Sequence, residues 1–365
     1  MTGAEACMTG TEAYMTGVTG TGEALPARCS GPSVWRGGEL AGRRDEWILR
    51  LSSHHLAEIG SALRQARRRD RTLLKLTAAD FPLPTLAGEL ERIAEALENG
   101  RGFALVKALP VERLGEPAAS AVFWGLGQYL GRPVAQNADG HMLGHVRDTG
   151  RSLADPATRG YQTRAALPFH TDGADLLALL SLRTPCTGGR TSLVSSAAVH
   201  NAVRDLRPDL AGRLYSTYCF DRRQEQLPGE PPYTAAPLAA RSPSGALSMR
   251  YNRRYLESAQ RFPEVPRLKP ADLELFDLID DVAGAPESRL DIDLEPGDLL
   301  LLNTHRVMHA RAEFEDHDRP DLKRHLLRLW LALPHRHCAD GARHGVTPRD
   351  VIRPRNGARQ TTGGI

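Results

Sequence analysis

The sequence predicts a mostly β protein with flanking helices, in which a helical cap packs on a β-sandwich or barrel. Two observations carry this. Helix-period apolar spacing crowds residues 45–130, and short apolar runs set off by Gly and Pro fill most of the stretch from Leu176 to Pro334. The 34 Gly and 25 Pro suit many turns, and no Gly-rich loop opens a helix, which argues against a P-loop or dinucleotide fold.

The elements follow in order. Met-Thr-Gly recurs at Met1, Met8 and Met15 without amphipathic pattern, so residues 1–30 read as a disordered leader. From Asp45 to about Arg69, Trp47, Leu51, Leu56, Ile59 and Leu63 recur at roughly helical spacing, and the basic run at 67–69 suits a helix C-terminus. Leu86 to Leu97 is a second helix, ended by Asn99-Gly100. Phe103 to Leu109 is a short strand stopped by Pro110, and Pro117 to Leu130 a third helix. Strands follow at Leu176–Leu182 and Ala246–Tyr251, then a helix at Asp272–Val282. Leu290–Leu294 and Leu299–Leu302 flank the turn Glu295-Pro-Gly-Asp298, and Leu326–Leu333 is the last strand. Residues 31–345 form one domain in this scheme, and 346–365 a flexible tail.

Composition limits the partners. With 47 basic and 44 acidic residues the net charge is +3, too mild for a nucleic-acid or anionic-membrane surface. The five cysteines are odd in number and widely spaced, which fits a reducing compartment. Apolar runs fall far short of the ~20 residues of a spanning helix, and the N-terminus lacks the pattern of a secretory signal. A cytoplasmic protein acting on a small molecule is expected; a homo-oligomer is left open.

The sharpest chemical feature is Phe169-His170-Thr171-Asp172-Gly173. On a strand, residues i and i+2 point the same way, so His170 and Asp172 would aim an imidazole and a carboxylate at one point. That is two-thirds of the 2-His-1-carboxylate triad of non-haem Fe(II) enzymes, although the pair alone also fits a plain turn with a surface Asp. A third ligand should come from a distant strand, and His305 and His309 both follow the apolar run 299–302. Arg324, Leu326, Arg328 and Trp330 share one face of the last strand. Two arginines on an apolar face require anions, and their planar forks suit carboxylates.

The ordered set HxD, Gly188-Gly189-Arg190-Thr191, Gly297-Asp298, NxxRVxHxR over Asn303–Arg311, and RxxxR resembles the taurine dioxygenase and clavaminate synthase-like superfamily over roughly Gly100 to Pro334. The resemblance implies a double-stranded β-helix (jelly-roll) core and an oxygenase using Fe(II), 2-oxoglutarate and O2. It implies His170, Asp172 and His309 as metal ligands, with His309 favoured over His305. Thr191 and Arg324 would hold the far carboxylate of 2-oxoglutarate, with Arg328 as the alternative anchor or as the receiver of an anionic substrate group. The implied reaction releases succinate and CO2 and hydroxylates an unactivated C–H bond; desaturation is the alternative, and the presence of Asp172 disfavours halogenation. A carboxylate-bearing substrate, an amino acid or natural-product intermediate, would meet Gln136 and Asn137 in a long lid loop. Arg250, Asn252 and Arg254, alternating on a strand, would face it too. Asp175 reads as structural, and His200 and His325 have no motif behind them. A zinc hydrolase or a non-catalytic jelly-roll binder remain the rival classes.

Overall fold

A computed structural model describes residues 25–69, 72–155 and 157–333. The Met-Thr-Gly repeats and the expected tail lie outside the described residues. Of residues 25–30, expected within the leader, Cys29 is buried, and its backbone N–H donates to Asn201 Oδ1 at 2.8 Å.

The helices form where capping and apolar periodicity agree. Helix α1 (Ser53–Arg68) starts where Ser52 Oγ accepts the His55 N–H, and it buries Ile59, Ala62, Leu63 and Ala66. The pattern from Asp45 predicts helix, but Ile48–Arg50 is a strand, β1. It pairs in parallel with β2 (Phe103–Lys107), and that edge pairing overrides the local spacing. Helix α2 (Leu86–Glu98) lies close to its predicted bounds. Helix α3 (Val111–Gly127) is interrupted at Gly115, which has φ +72°, and resumes at Pro117.

Short two-stranded pairs, which include Thr217–Asp221 with Tyr233–Pro237 and Ala239–Arg241 with Leu247–Met249, lie outside the two main sheets. The other strands of the main sheets are β3 (Arg132–Pro133), β4 (Leu143–Val146), β5 (Leu167–His170), β6 (Leu176–Arg183), β7 (Thr191–Ser195), β8 (Leu290–Ile292), β9 (Leu299–Asn303), β10 (Val307–Arg311) and β11 (His325–Ala332). They build two facing sheets of a jelly roll. The major sheet has the order β1-β2-β9-β6-β11-β3, with β4 also paired to β11; the minor sheet has the order β8-β7-β10-β5. Helices α4 (Ser196–Leu206) and α6 (Pro270–Gly284) back the minor sheet, and α5 (Arg253–Ser258) lies near the cavity mouth.

The major sheet is covered on both faces, which explains its unbroken leucine runs. Leu299 and Leu301 face the helices α1–α3, while Leu300 and Leu302 face the space between the sheets. On β11, Leu327, Leu329 and Leu331 point to the helices and Leu326 and Trp330 to the other side. No described helix is long and apolar enough to cross a membrane.

The turn into β9 depends on Gly297. Its φ is +87°, and a Cβ there would lie 2.0 Å from the Leu109 carbonyl oxygen. Gly297→Ala is expected to lower the thermal midpoint by about 5 °C or more. Calorimetry on the two proteins checks this, and an unchanged midpoint would refute it.

Candidate active site

The register of the minor sheet makes His170 on β5 and His309 on β10 direct cross-strand partners, with ring centroids 4.3 Å apart. The i, i+2 spacing predicts Asp172 on the same strand as His170. The strand instead stops at His170, because Thr171 turns to the segment around Tyr251: its N–H donates to the Tyr251 carbonyl at 2.8 Å and its Oγ1 accepts the Tyr251 N–H at 3.0 Å. Asp172 stands on that turn and still converges with the histidines. One ligand atom from each of His170, Asp172 and His309 falls within 4.8 Å of the others.

Hydrogen bonds fix how these atoms are presented. His170 Nδ1–H donates to the Pro168 carbonyl at 2.8 Å, which leaves Nε2 as a bare lone pair 3.7 Å from Asp172 Oδ1. Burial keeps His170 below its ordinary pKa; burial, with His170 beside it, brings His309 down to about 3. Burial alone would raise the Asp172 carboxyl, but Arg328, the two histidines and the Trp330 indole outweigh it and bring it to about 2. Two neutral imidazoles and a carboxylate are the donor set that a divalent ion takes without displacing protons.

A second cluster lies deeper between the sheets. Arg311 on β10 and Arg324, just ahead of β11, flank the Phe314 ring, at 4.8 and 5.0 Å from its centroid. Both are buried, and neither forms an ion pair among the described residues. Arg311 donates through Nη2 to the Thr163 and Ala165 carbonyls, yet its Nε and Nη1, and Nη1 of Arg324, have no hydrogen-bond partner among the described residues. Burial pushes Arg311 down to about 10; burial and the nearby Arg311 push Arg324 to about 9. Thr191, opposite Arg311 in the sheet register, lines the same cavity. These unmet donors fit a carboxylate. Arg311 belongs to the NxxRVxHxR pattern, but sequence gave it no role; its spacing of two from His309 on one strand was the available signal.

Arg328 is set apart from that pair. Its guanidinium lies between the Tyr161 and Trp330 rings, 4.5 and 4.7 Å from their centroids, and its Nη1 is 3.8 Å from Asp172 Oδ2. Gln136 holds it. Arg328 Nε donates to Gln136 Oε1 at 2.6 Å, and Gln136 Nε2 donates to the Arg328 and Met142 carbonyls. A Cβ at Gly144, the cross-strand partner of Arg328, would meet Gln136 Oε1 at 2.6 Å, so a glycine makes room for this side chain.

Several sequence expectations are corrected here. Gln136 is buried and does not line the cavity; it grips Arg328 instead. Asn137 does not line it either, because its side chain bonds to His141. Arg250, Asn252 and Arg254 do line the cavity, but not as one strand face. The strand ends at Met249, Asn252 caps α5, and Arg254 lies within that helix. His305 is occupied elsewhere: its Nε2–H donates to Asp175 Oδ1 at 2.9 Å and its Nδ1 accepts from Ser248 Oγ at 2.7 Å. Asp175 also accepts the Leu333 N–H, in keeping with a structural part. His200 bonds to Tyr215, and His325 spends both ring nitrogens on Arg183 and His145.

The cavity holds about 470 Å³ and contains His170, Asp172, His309, Thr191, Arg311 and Arg324 together. Sequence reasoning missed its far wall. There Arg159 and Arg223 lie against the Tyr255 ring, and Arg159 pairs with Glu225 at 2.5 Å.

Residues 69–330 match the family described as "Taurine catabolism dioxygenase TauD, TfdA family". The chain belongs to this family. It is 33% identical over 316 residues to FR-33289 synthase of Streptomyces rubellomurinus (strain ATCC 31215), covering 85% of this chain and 91% of that protein. It is 27% identical over 284 residues to uridine-5'-phosphate dioxygenase of Amycolatopsis sp, covering 73% of this chain and 96% of the relative. Among solved structures, asparagine oxygenase in complex with Fe(II), (2S,3S)-3-hydroxyasparagine and succinate matches with a TM-score of 0.62 at 17% identity, covering 78% of this chain and 93% of that one. This member of the TauD, TfdA family is a dioxygenase. The zinc-hydrolase and binding-module alternatives fall away.

The neutral histidines set a pH dependence. Below the ordinary imidazole pKa of 6.5, the unfolded chain takes up protons that folded His309 (about 3), His200 (about 4) and His325 (about 3) refuse. Stability therefore falls as pH drops from about 6.5 toward 4. The urea midpoint of the metal-free protein is expected to be lower at about pH 5 than at about pH 7. Equal midpoints would mean that these imidazoles are not held neutral.

Proposed function

We propose that this dioxygenase hydroxylates an unactivated C–H bond of a small anionic molecule, with His170, Asp172 and His309 holding Fe(II). In this assignment Arg311, Arg324 and Thr191 hold the far carboxylate of 2-oxoglutarate, and Arg328 faces the substrate. The observation that carries it is the pair Arg311 and Arg324, two buried guanidiniums with donors that no described residue accepts. A buried cation without an anion is strongly unfavourable, and a carboxylate between the two would satisfy both. Fe(II) and 2-oxoglutarate together supply the oxidising power, which the chain does not. What the chain contributes is position. His170 offers a single lone pair, Asp172 stays ionised at neutral pH, and the stacked guanidinium of Arg328 keeps a cation beside the metal ligands.

The cavity wall supports an anionic substrate. Arg223, Arg250, Arg254 and Arg328 line it, with Glu225 already paired to Arg159. The relative named for uridine-5'-phosphate and the neighbour holding hydroxyasparagine both concern small molecules that bear an anionic group. An amino acid, with its ammonium toward Glu225, and an anionic natural-product intermediate both fit this wall.

The test is anaerobic addition of Fe(II) and 2-oxoglutarate, which is expected to give the visible charge-transfer band of the chelate. His309→Ala should abolish the band and His305→Ala should keep it. Arg311→Leu should weaken 2-oxoglutarate by about tenfold or more, since a charged hydrogen bond is worth about 1.5–3 kcal/mol. A folded wild-type protein without the band would sink the assignment. Succinate release across a panel of amino acids and other small anions then identifies the substrate.

A further inference from the structure

The two oxygens of Asp172 are not equivalent. Oδ2 accepts a hydrogen bond from the Trp330 indole Nε1–H at 2.9 Å and lies 3.8 Å from Arg328 Nη1. Oδ1 is turned the other way, 3.7 Å from the bare Nε2 of His170. Trp330 comes from the major sheet, whereas Asp172 stands on a turn after the minor sheet, so this bond crosses the space between the sheets. The indole is buried, carries the Arg328 guanidinium on its face, and packs beside Gly173.

A carboxylate on a turn can rotate and meet an ion through one oxygen or both. In a site with two histidines and a carboxylate, a single oxygen leaves three positions of an octahedral ion open. A two-carbonyl chelator fills two of them and leaves one for dioxygen; a carboxylate bound through both oxygens would remove that last position. We propose that Trp330 is a positioning residue that claims Oδ2 of Asp172, so that this carboxylate meets the metal through Oδ1 alone. The inference rests on the assignment of Asp172 as a ligand.

The test uses Zn(II), a diamagnetic probe, and the four indoles of the chain. Trp35, Trp47 and Trp124 donate to the backbone carbonyls of Arg101, Leu40 and Leu76. Only Trp330 donates to a candidate metal ligand. In ¹⁵N-labelled wild-type protein, Zn(II) should shift one indole N–H resonance of the four, and that N–H should stay protected from exchange. Trp330→Phe, which keeps an aromatic face for Arg328, should remove that resonance and weaken the Zn(II) affinity by about tenfold or more. The thermal midpoint of its metal-free form should stay near the wild-type value. Zn(II) binding that leaves every indole unmoved, or an affinity unchanged in Trp330→Phe, overturns the role of Trp330 and leaves the ligand assignment standing. Should the variant not fold, the wild-type resonances decide alone. Wild-type protein with no Zn(II) binding sensitive to His309→Ala overturns both.

Discussion

The strict alternation of side chains along β11 is the constraint on which the molecule depends. Leu327, Leu329 and Leu331 complete the core under α1–α3, while Arg328 and Trp330 emerge between the sheets, with Arg324 just ahead of the strand. A slip of one residue would exchange the faces and place guanidiniums in the leucine core. The register is held from both sides by β6 and β4, so the site's cations are fixed by the ladder that closes the hydrophobic core. Folding and site assembly are one event on this strand.

The electrostatics follow from that placement. Aromatic faces lie against the buried cations: Phe314 for Arg311 and Arg324, Tyr161 and Trp330 for Arg328, and Tyr255 for Arg159 and Arg223, with Glu225 also paired to Arg159. Stacking offsets part of the desolvation of a guanidinium while leaving its edge free to donate. The interior is thereby positive in two places, one deep and one beside Asp172.

Much of this was legible in sequence because it rests on periodicity and on ordered spacing. The leucine runs of β6, β9 and β11 marked a buried sheet, and the arginines on β11 signalled anions, since a period of two puts Arg324, Arg328 and Trp330 together. What escaped depended on pairing across the chain. Ile48–Arg50 looked helical because its parallel partner lies far away at 105–107. Gln136 looked like a lid residue because only the β4–β11 register reveals that it lies over Gly144 against Arg328. The run 250–254 looked like a strand because its alternation of polar residues hid the cap at Asn252. Arg159, Arg223, Glu225 and Tyr255 carry no motif; they come from separate parts of the chain and meet only in the folded cavity wall.

The histidines and the carboxylate are anchored in different ways. His170 and His309 sit opposite each other on a hydrogen-bonded ladder, so the gap between them is a property of the backbone. Asp172 stands past the end of that ladder, where Thr171 has already turned toward Tyr251. The site therefore has two corners set by the strand ladder and one set by a turn and by the Trp330 indole. A change of residue at that third corner leaves the strand pairing undisturbed.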